Sequence, residues 1–163
     1  MQKLAIIIPA HNEERRIAKT LENYLKHFSH LKKKRILDFE IIVVLNGCKD
    51  KTYEIIKNYE KEIIILNFEE SGKGFAVIQG FKKALNKKND LIGFVDADMA
   101  TPPEAFYYLI KNIKENDGAI ANRTIQGSKA RFNIVRKITH KGFNWVTKIL
   151  FFFPYSDTQC GAK

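Results

Sequence analysis

Leu91-Ile92-Gly93-Phe94-Val95-Asp96-Ala97-Asp98 sets the architecture. Five apolar residues in unbroken succession fit a strand buried on both faces, as the strands of a parallel sheet are. The run stops on two carboxylates. Thr101-Pro102-Pro103-Glu104 then reads as a helix start, with Thr as N-cap, Pro in the first turn and Glu closing a capping box. The same alternation extends in both directions. Upstream lie apolar runs at Leu4–Ile8, Ile41–Leu45 and Ile63–Leu66. Between them, Ile17, Leu21, Leu25 and Phe28 recur at helical spacing, as do Tyr53, Ile56 and Tyr59, and Phe75, Ile78, Phe81 and Leu85. Downstream, Phe106, Leu109, Ile110 and Ile113 mark a helix, Gly118–Ala121 a weaker strand, and Phe132–Leu150 a long final helix.

Strands alternating with helices imply right-handed βαβ crossovers, hence an α/β fold: a mostly parallel sheet with helices on both faces. No repeat or linker interrupts residues 1–163, which read as a single domain. No later strand follows to cover the last sheet edge, and an open edge favours self-association or pairing with a further segment.

Composition narrows the class. The 163 residues are 45% hydrophobic, enough for a real core and too apolar for a disordered chain. The net charge of +10 favours anionic partners: phosphates, nucleic acid or an acidic membrane face. No RRM, KH or helix-turn-helix signature is present, so nucleic acid is not an expected partner. Cys48 and Cys160 form neither a disulfide framework nor a metal cluster, and free thiols suit a reducing cytoplasm. Nothing approaches the ~20 apolar residues of a membrane span. The opening Met1–Pro9 reads as a strand, because Glu13 and Glu14 stand where a signal peptide would carry small residues. His27, His30 and His140 lack ligand spacing and are expected in solvent, while His11, nearer the strand ends, has no obvious partner. Phe151-Phe152-Phe153 cannot all face one core from one helix, so a lipid-facing patch stands beside the core reading.

In a parallel sheet, ligands bind beyond the carboxyl ends of the strands. Asp96 and Asp98 stand there, and a period of two puts both carboxylates on one side of an extended chain, where they suit a hard divalent ion such as Mg²⁺ or Mn²⁺ bridging to a diphosphate. Pro9-Ala10-His11-Asn12-Glu13-Glu14 follows the first strand. Asn12 and its backbone suit a nucleotide base or ribose, while Glu14 is adequately explained as a complement to the helix dipole. Asn46-Gly47-Cys48-Lys49-Asp50-Lys51-Thr52 follows the second strand, with Asp50 or Thr52 as a helix cap and Cys48 as a structural thiol. Ser71-Gly72-Lys73-Gly74 offers a glycine-rich approach to phosphate plus one cation, although it is neither a Walker A loop nor a dinucleotide fingerprint.

Taken in order, these pieces and the closing Asp157-Thr158-Gln159-Cys160-Gly161-Ala162-Lys163 resemble family 2 glycosyltransferases, most of all the group of dolichyl-phosphate β-glucosyltransferases and dolichyl-phosphate mannose synthases. The resemblance implies a GT-A (Rossmann-like) fold, here without its C-terminal part, because the closing motif usually lies inside the chain. It implies inverting, metal-assisted transfer of a hexose from a nucleotide sugar of the UDP-glucose or GDP-mannose type to a polyprenyl (dolichyl) phosphate. The place of work would be the cytoplasmic face of a membrane, with peripheral contact. By the same resemblance Pro9, Asn12, Glu13, Asn46, Lys73 and Asp96 bind the donor and Asp98 holds the metal. Arg123 faces a phosphate, with Arg131 or Arg136 as a second such arginine. Leu45-Asn46 replaces the family's frequent Asp-Asp, which leaves UDP against GDP open. A catalytically silent nucleotide-binding module, or a donor-binding fragment that needs a partner segment, is the alternative.

Overall fold

The computed structural model describes residues 1–113, 115–121 and 161–163. Eight elements alternate: β1 (Lys3–Ala10), α1 (Ile17–Lys33), β2 (Asp38–Asn46), α2 (Thr52–Lys57), β3 (Ile64–Phe68), α3 (Lys73–Asn86), β4 (Leu91–Phe94) and α4 (Pro103–Lys111). The sheet has the order β3-β2-β1-β4, and every pairing in it is parallel. The α/β reading of the sequence is therefore the observed fold.

Strand β1 is central and buried on both faces. Leu4, Ile6, Ile8 and Ala10 join Ile41, Val43 and Leu45 under α1, which contributes Ile17, Leu21, Tyr24, Leu25 and Phe28, with Phe106 of α4 beside them. Ala5 and Ile7 point the other way, with Ile42 and Val44, against Ala76 and Ala84 of α3. Those two faces explain why the strands are unbroken apolar runs rather than alternating ones.

Helix α3 corrects the sequence reading. Its packed face is Ala76, Gly80 and Ala84, whereas Ile78 and Leu85 are 55% and 64% exposed. Small residues win the inner face because α3 lies close to β1: a Cβ on Gly80 would run into Ile7 Cγ2 and come within 3.1 Å of its Cγ1.

Other expectations shift. Gly118–Ala121 forms no strand. The edge of β4 is covered at its end, where Phe94 exchanges backbone hydrogen bonds with Lys163 at 2.9 and 3.3 Å. The expected capping box at Thr101 is absent: Pro102 is the N-cap, no side chain caps the helix, and the Thr101 carbonyl instead accepts from the Tyr24 hydroxyl at 2.8 Å. His27 is half-buried rather than solvated, edge-on to Phe28 with ring centroids 5.3 Å apart and 3.5 Å from Glu104 Oε1. The long final helix, His140 and Phe151–Phe153 lie outside the described residues.

The Gly80 contact yields a test. Gly80→Ala should lower unfolding stability by about 1–3 kcal/mol through overpacking, whereas Leu85→Ala, in solvent, should stay within about 0.5 kcal/mol. Urea denaturation of the two variants distinguishes them.

Candidate functional site

The sheet order fixes where a cleft opens. The chain builds β1, β2 and β3 to one side, then crosses back through α3 to lay β4 on the other side of β1. Loops after β1 and β4 consequently leave in opposite directions, which opens a crevice between them. The registers widen it. Along β2, β1 pairs from Lys3 to Ala10; along β4 it pairs only from Leu4 to Ile7, with one further bond from Val95 N–H to the Ile7 carbonyl (2.9 Å). Pro9 follows two residues later, so the N–H it lacks would point into the gap that β4 has vacated.

A cleft of about 420 Å³ occupies this place, lined by Pro9, His11, Glu13, Asn46, Ser71, Gly72, Lys73, Asp96, Ala97 and Asp98. It gathers all but one of the described residues that the sequence reading assigned to donor or metal. The exception, Asn12, is exposed and does not line the cleft. Arg123, Arg131 and Arg136 lie outside the described residues.

Across the cleft, Lys73 at the start of α3 forms an ion pair with Asp96 Oδ1. Asp98 is exposed, and its Oδ1 accepts from Ala100 N–H at 2.9 Å. The strand ends at Phe94 and residues 97–98 turn, yet both carboxylates still line one cleft. Between them Ala97 is buried, and its carbonyl accepts from the Thr20 hydroxyl at 2.7 Å. Thr20 of α1 is fully buried, as is Tyr24 one turn on. Burial, then Glu104 and Asp96, push the Tyr24 phenol far above its ordinary range, so it stays a hydrogen-bond donor to Thr101. Helix α1 thus holds this turn at Ala97, between the two carboxylates, and again at Thr101.

A second network locks the opposite wall. Lys49 N–H donates to Asn12 Oδ1 (2.7 Å), which turns the Asn12 amide nitrogen toward His11 Nε2 (3.2 Å). His11 Nδ1–H then donates to the Asn46 carbonyl at 2.6 Å. Because a backbone N–H can only donate, the chain has one polarity and His11 one tautomer. Glu13 takes Arg16 in a two-pronged pair at 2.7 and 2.8 Å, and its N–H donates to Thr52 Oγ1 at 2.8 Å. Asn46 is buried; with Nδ2 donating to the Ala10 carbonyl (2.7 Å), its Oδ1 accepts from Gly72 N–H (3.1 Å). Cys48 is half-buried beside the Ala10 carbonyl, as a structural thiol.

Asp50 joins the two helix starts. It accepts from Glu14 N–H at 3.1 Å and from Thr52 N–H at 3.0 Å, while Glu14 Oε2 accepts from Lys51 N–H at 3.1 Å. Glu14 therefore does more than complement a dipole. Burial pulls the Asp50 carboxyl upward, but hydrogen bonds from the Thr52 hydroxyl and from the backbone of Glu14 and Thr52 outweigh it and hold the group below its ordinary range.

Sequence reasoning passed over Thr20 and Tyr24, took Ser71 and Gly72 only as part of a glycine-rich approach to phosphate, and left His11 without a partner. Thr20 had a visible signal, a polar residue in phase with Ile17, Leu21 and Tyr24 on an apolar helix face.

No group of three or more His, Cys, Asp or Glu side chains stands ready to hold a metal among the described residues. A single exposed carboxylate at Asp98 still fits an ion of the Mg²⁺ kind, which takes one or two protein carboxylates and fills its shell with substrate phosphates and water.

Residues 5–160 match the family model Glycosyl transferase family 2. The chain belongs to that family. It is 36% identical over 172 residues to a dolichyl-phosphate beta-glucosyltransferase of Trichomonas vaginalis, covering 98% of this chain and 52% of that protein. To the dolichol-phosphate mannosyltransferase of Pyrococcus furiosus it is 33% identical over 153 residues, covering 90% and 41%. The chain spans about half the length of the curated relatives it matches. Among solved structures, it superposes on TarS 1–349 of S. aureus with a TM-score of 0.53 at 24% identity, covering 70% of this chain and 33% of that one. Glucosyl-3-phosphoglycerate synthase of Mycobacterium tuberculosis, in complex with phosphoglyceric acid, gives 0.50 at 20% identity, covering 71% and 41%. At such identities the likeness concerns the fold, which is GT-A.

Two outcomes check this geometry. Long-range ¹H–¹⁵N spectra of the His11 ring should show the proton on Nδ1; a proton on Nε2 would contradict the network. The N-cap of α2 is Lys51 rather than Asp50 or Thr52, and no side chain caps the helix, so Asp50 acts through its hydrogen bonds between the loops. Asp50→Ala should cost about 1 kcal/mol, the ordinary worth of such a bond. Because the folded Asp50 carboxyl is depressed, its contribution is whole above the unfolded value of about 4 and drains away as pH falls through the folded value. Urea unfolding should therefore separate parent and variant at neutral pH, with the gap narrowing as pH falls below about 4.

Proposed function

We propose that this chain binds a nucleoside diphosphate sugar in the cleft between β1 and β4 and serves an inverting transfer of a hexose to a polyprenyl phosphate such as dolichyl phosphate. The observation that carries the reading is the meeting of Lys73, Asp96 and Asp98 across one cleft at the carboxyl edge of the sheet. The names of the relatives give the acceptor class: dolichyl phosphate for the protein of Trichomonas vaginalis, dolichol phosphate for that of Pyrococcus furiosus.

Breaking a sugar–diphosphate bond leaves negative charge on the departing nucleotide. Lys73, on the cleft wall, would take that charge once the diphosphate draws it from Asp96. Asp98 would hold Mg²⁺ or Mn²⁺, which supplies further positive charge beside the diphosphate when bound. Pro9, Asn12, Glu13 and Asn46 shape the donor's resting place, with Asn12 and Asn46 fixing loops through their hydrogen bonds. A phosphate acceptor is already an anionic nucleophile near neutral pH, so the transfer needs no dedicated general base. Arg123, with Arg131 or Arg136, would clamp that phosphate by paired hydrogen bonds. The acceptor lipid puts the work at a membrane surface, read here as the cytoplasmic face with peripheral contact. No helix among the described residues is long and apolar enough to cross a membrane.

Calorimetric titration with UDP and GDP, each with and without Mn²⁺, tests the reading. One nucleotide should bind more tightly, with Mn²⁺ improving affinity about tenfold or more, which is ~1.4 kcal/mol. Asp98→Ala should abolish that Mn²⁺-dependent gain and leave the metal-free affinity. Equal UDP and GDP affinities that ignore the metal would overturn the proposal.

A further inference from the structure

Residues 161–163 run beside the end of β4. Phe94 N–H donates to the Lys163 carbonyl (2.9 Å), Lys163 N–H to the Phe94 carbonyl (3.3 Å), and Ala121 N–H to the Ala162 carbonyl (3.1 Å). Ala162 is completely buried. Docked in this way, the segment sets Gly161 directly against the side chain of Asp96. A Cβ on Gly161 would stand 3.0 Å from Asp96 Oδ1 and closer still to Cγ and Oδ2, far inside any tolerable contact. On its other side the same carboxylate is held by Lys73. Asp96 is partly buried, with 29% of its side chain exposed.

We propose that Gly161 is a positioning residue for Asp96: the side chain it lacks is the space in which the carboxylate stands, turned toward Lys73 and the cleft. Any Cβ at position 161 must move either the carboxylate or the segment. The segment is pinned by backbone hydrogen bonds on two sides, whereas the carboxylate turns about single bonds, so the carboxylate gives way. Turning it breaks the contact with Lys73 and changes the wall that the nucleotide meets. The neighbouring Gly93 makes room of a different kind. Its Cβ would strike the Lys163 carbonyl at 2.7 Å and the Phe106 ring at 2.8 Å, and none of its three nearest atoms belongs to Asp96. The consequence for ligand binding rests on the nucleotide reading above; the packing claim does not.

A double-mutant cycle separates the two. Gly161→Ala, Asp96→Ala and their combination are compared for urea midpoint and for UDP and GDP dissociation constants, with Gly93→Ala tested alone and on Asp96→Ala as the control. Gly161→Ala should lower the midpoint in the parent and have little effect on the Asp96→Ala background, because the clashing atoms are gone. It should also weaken nucleotide binding about tenfold in the parent and add nothing on that background. Gly93→Ala should cost the same in both. If Gly161→Ala alone fails to fold and the combination folds, the proposal stands. An equal loss of stability with and without the Asp96 carboxylate, or failure of the combination to fold, overturns it. If the parent binds neither nucleotide, the functional reading fails while the stability cycle still decides the role of Gly161.

Discussion

The structure depends on the burial of β1 on both faces and along both edges. With Leu4, Ile6 and Ile8 under α1 and Ala5 and Ile7 under α3, this strand has no freedom to slip. A shift of one residue would exchange Ile7, which fits against Gly80, for a neighbour aimed at the other layer. Its position in the sheet is fixed equally firmly, with β2 on one side and β4 on the other. Everything at the cleft follows from where β1 ends. It outlasts β4 by three residues, and that difference is the floor on which the cleft is built.

The four loops at this carboxyl edge share a backbone device. Asn12, Gly47, Gly72 and Met99 have φ values of 54°, 67°, 141° and 60°, one in each loop. Positive φ redirects the chain in each loop, and for Asn12 and Met99 the conformation is unfavourable enough to need support from its surroundings. Asn12 receives it through Lys49, and the turn before Met99 through Thr20 and Ala100. Neighbouring loops of the site hold one another by hydrogen bonds. The Asp50 and Glu14 hydrogen bonds join the first two loops, and Asn46 joins the second to the third.

The sheet and its helices were legible because buried parallel strands leave an unmistakable pattern of unbroken apolar runs, and Asp96 and Asp98 stood out because carboxylates at such a strand end have no role in the core. Lys73 was legible only as a cation beside glycines; its pairing with Asp96 joins α3 to the loop after β4 and has no local trace. The face of α3 was misread because large apolar residues usually mark the core, while here proximity to Ile7 demands Ala76, Gly80 and Ala84. His11 likewise appeared partnerless, since its acceptor is a backbone carbonyl 35 residues away. Gly161 was visible as part of a motif, but its contact with Asp96 depends on strand-like docking that no periodicity signals.

The central claim, that the carboxyl-edge loops form one nucleotide site, is tested most directly by amide NMR during titration with UDP or GDP. The account predicts shifts concentrated in the loops around residues 9–13, 46–52, 71–74 and 96–99, with Lys73 and Asp96 among the most affected. Shifts confined to the opposite edge, around Arg35 and Lys88, or to the groove between α1 and α4 around His30 and Glu104, would contradict it.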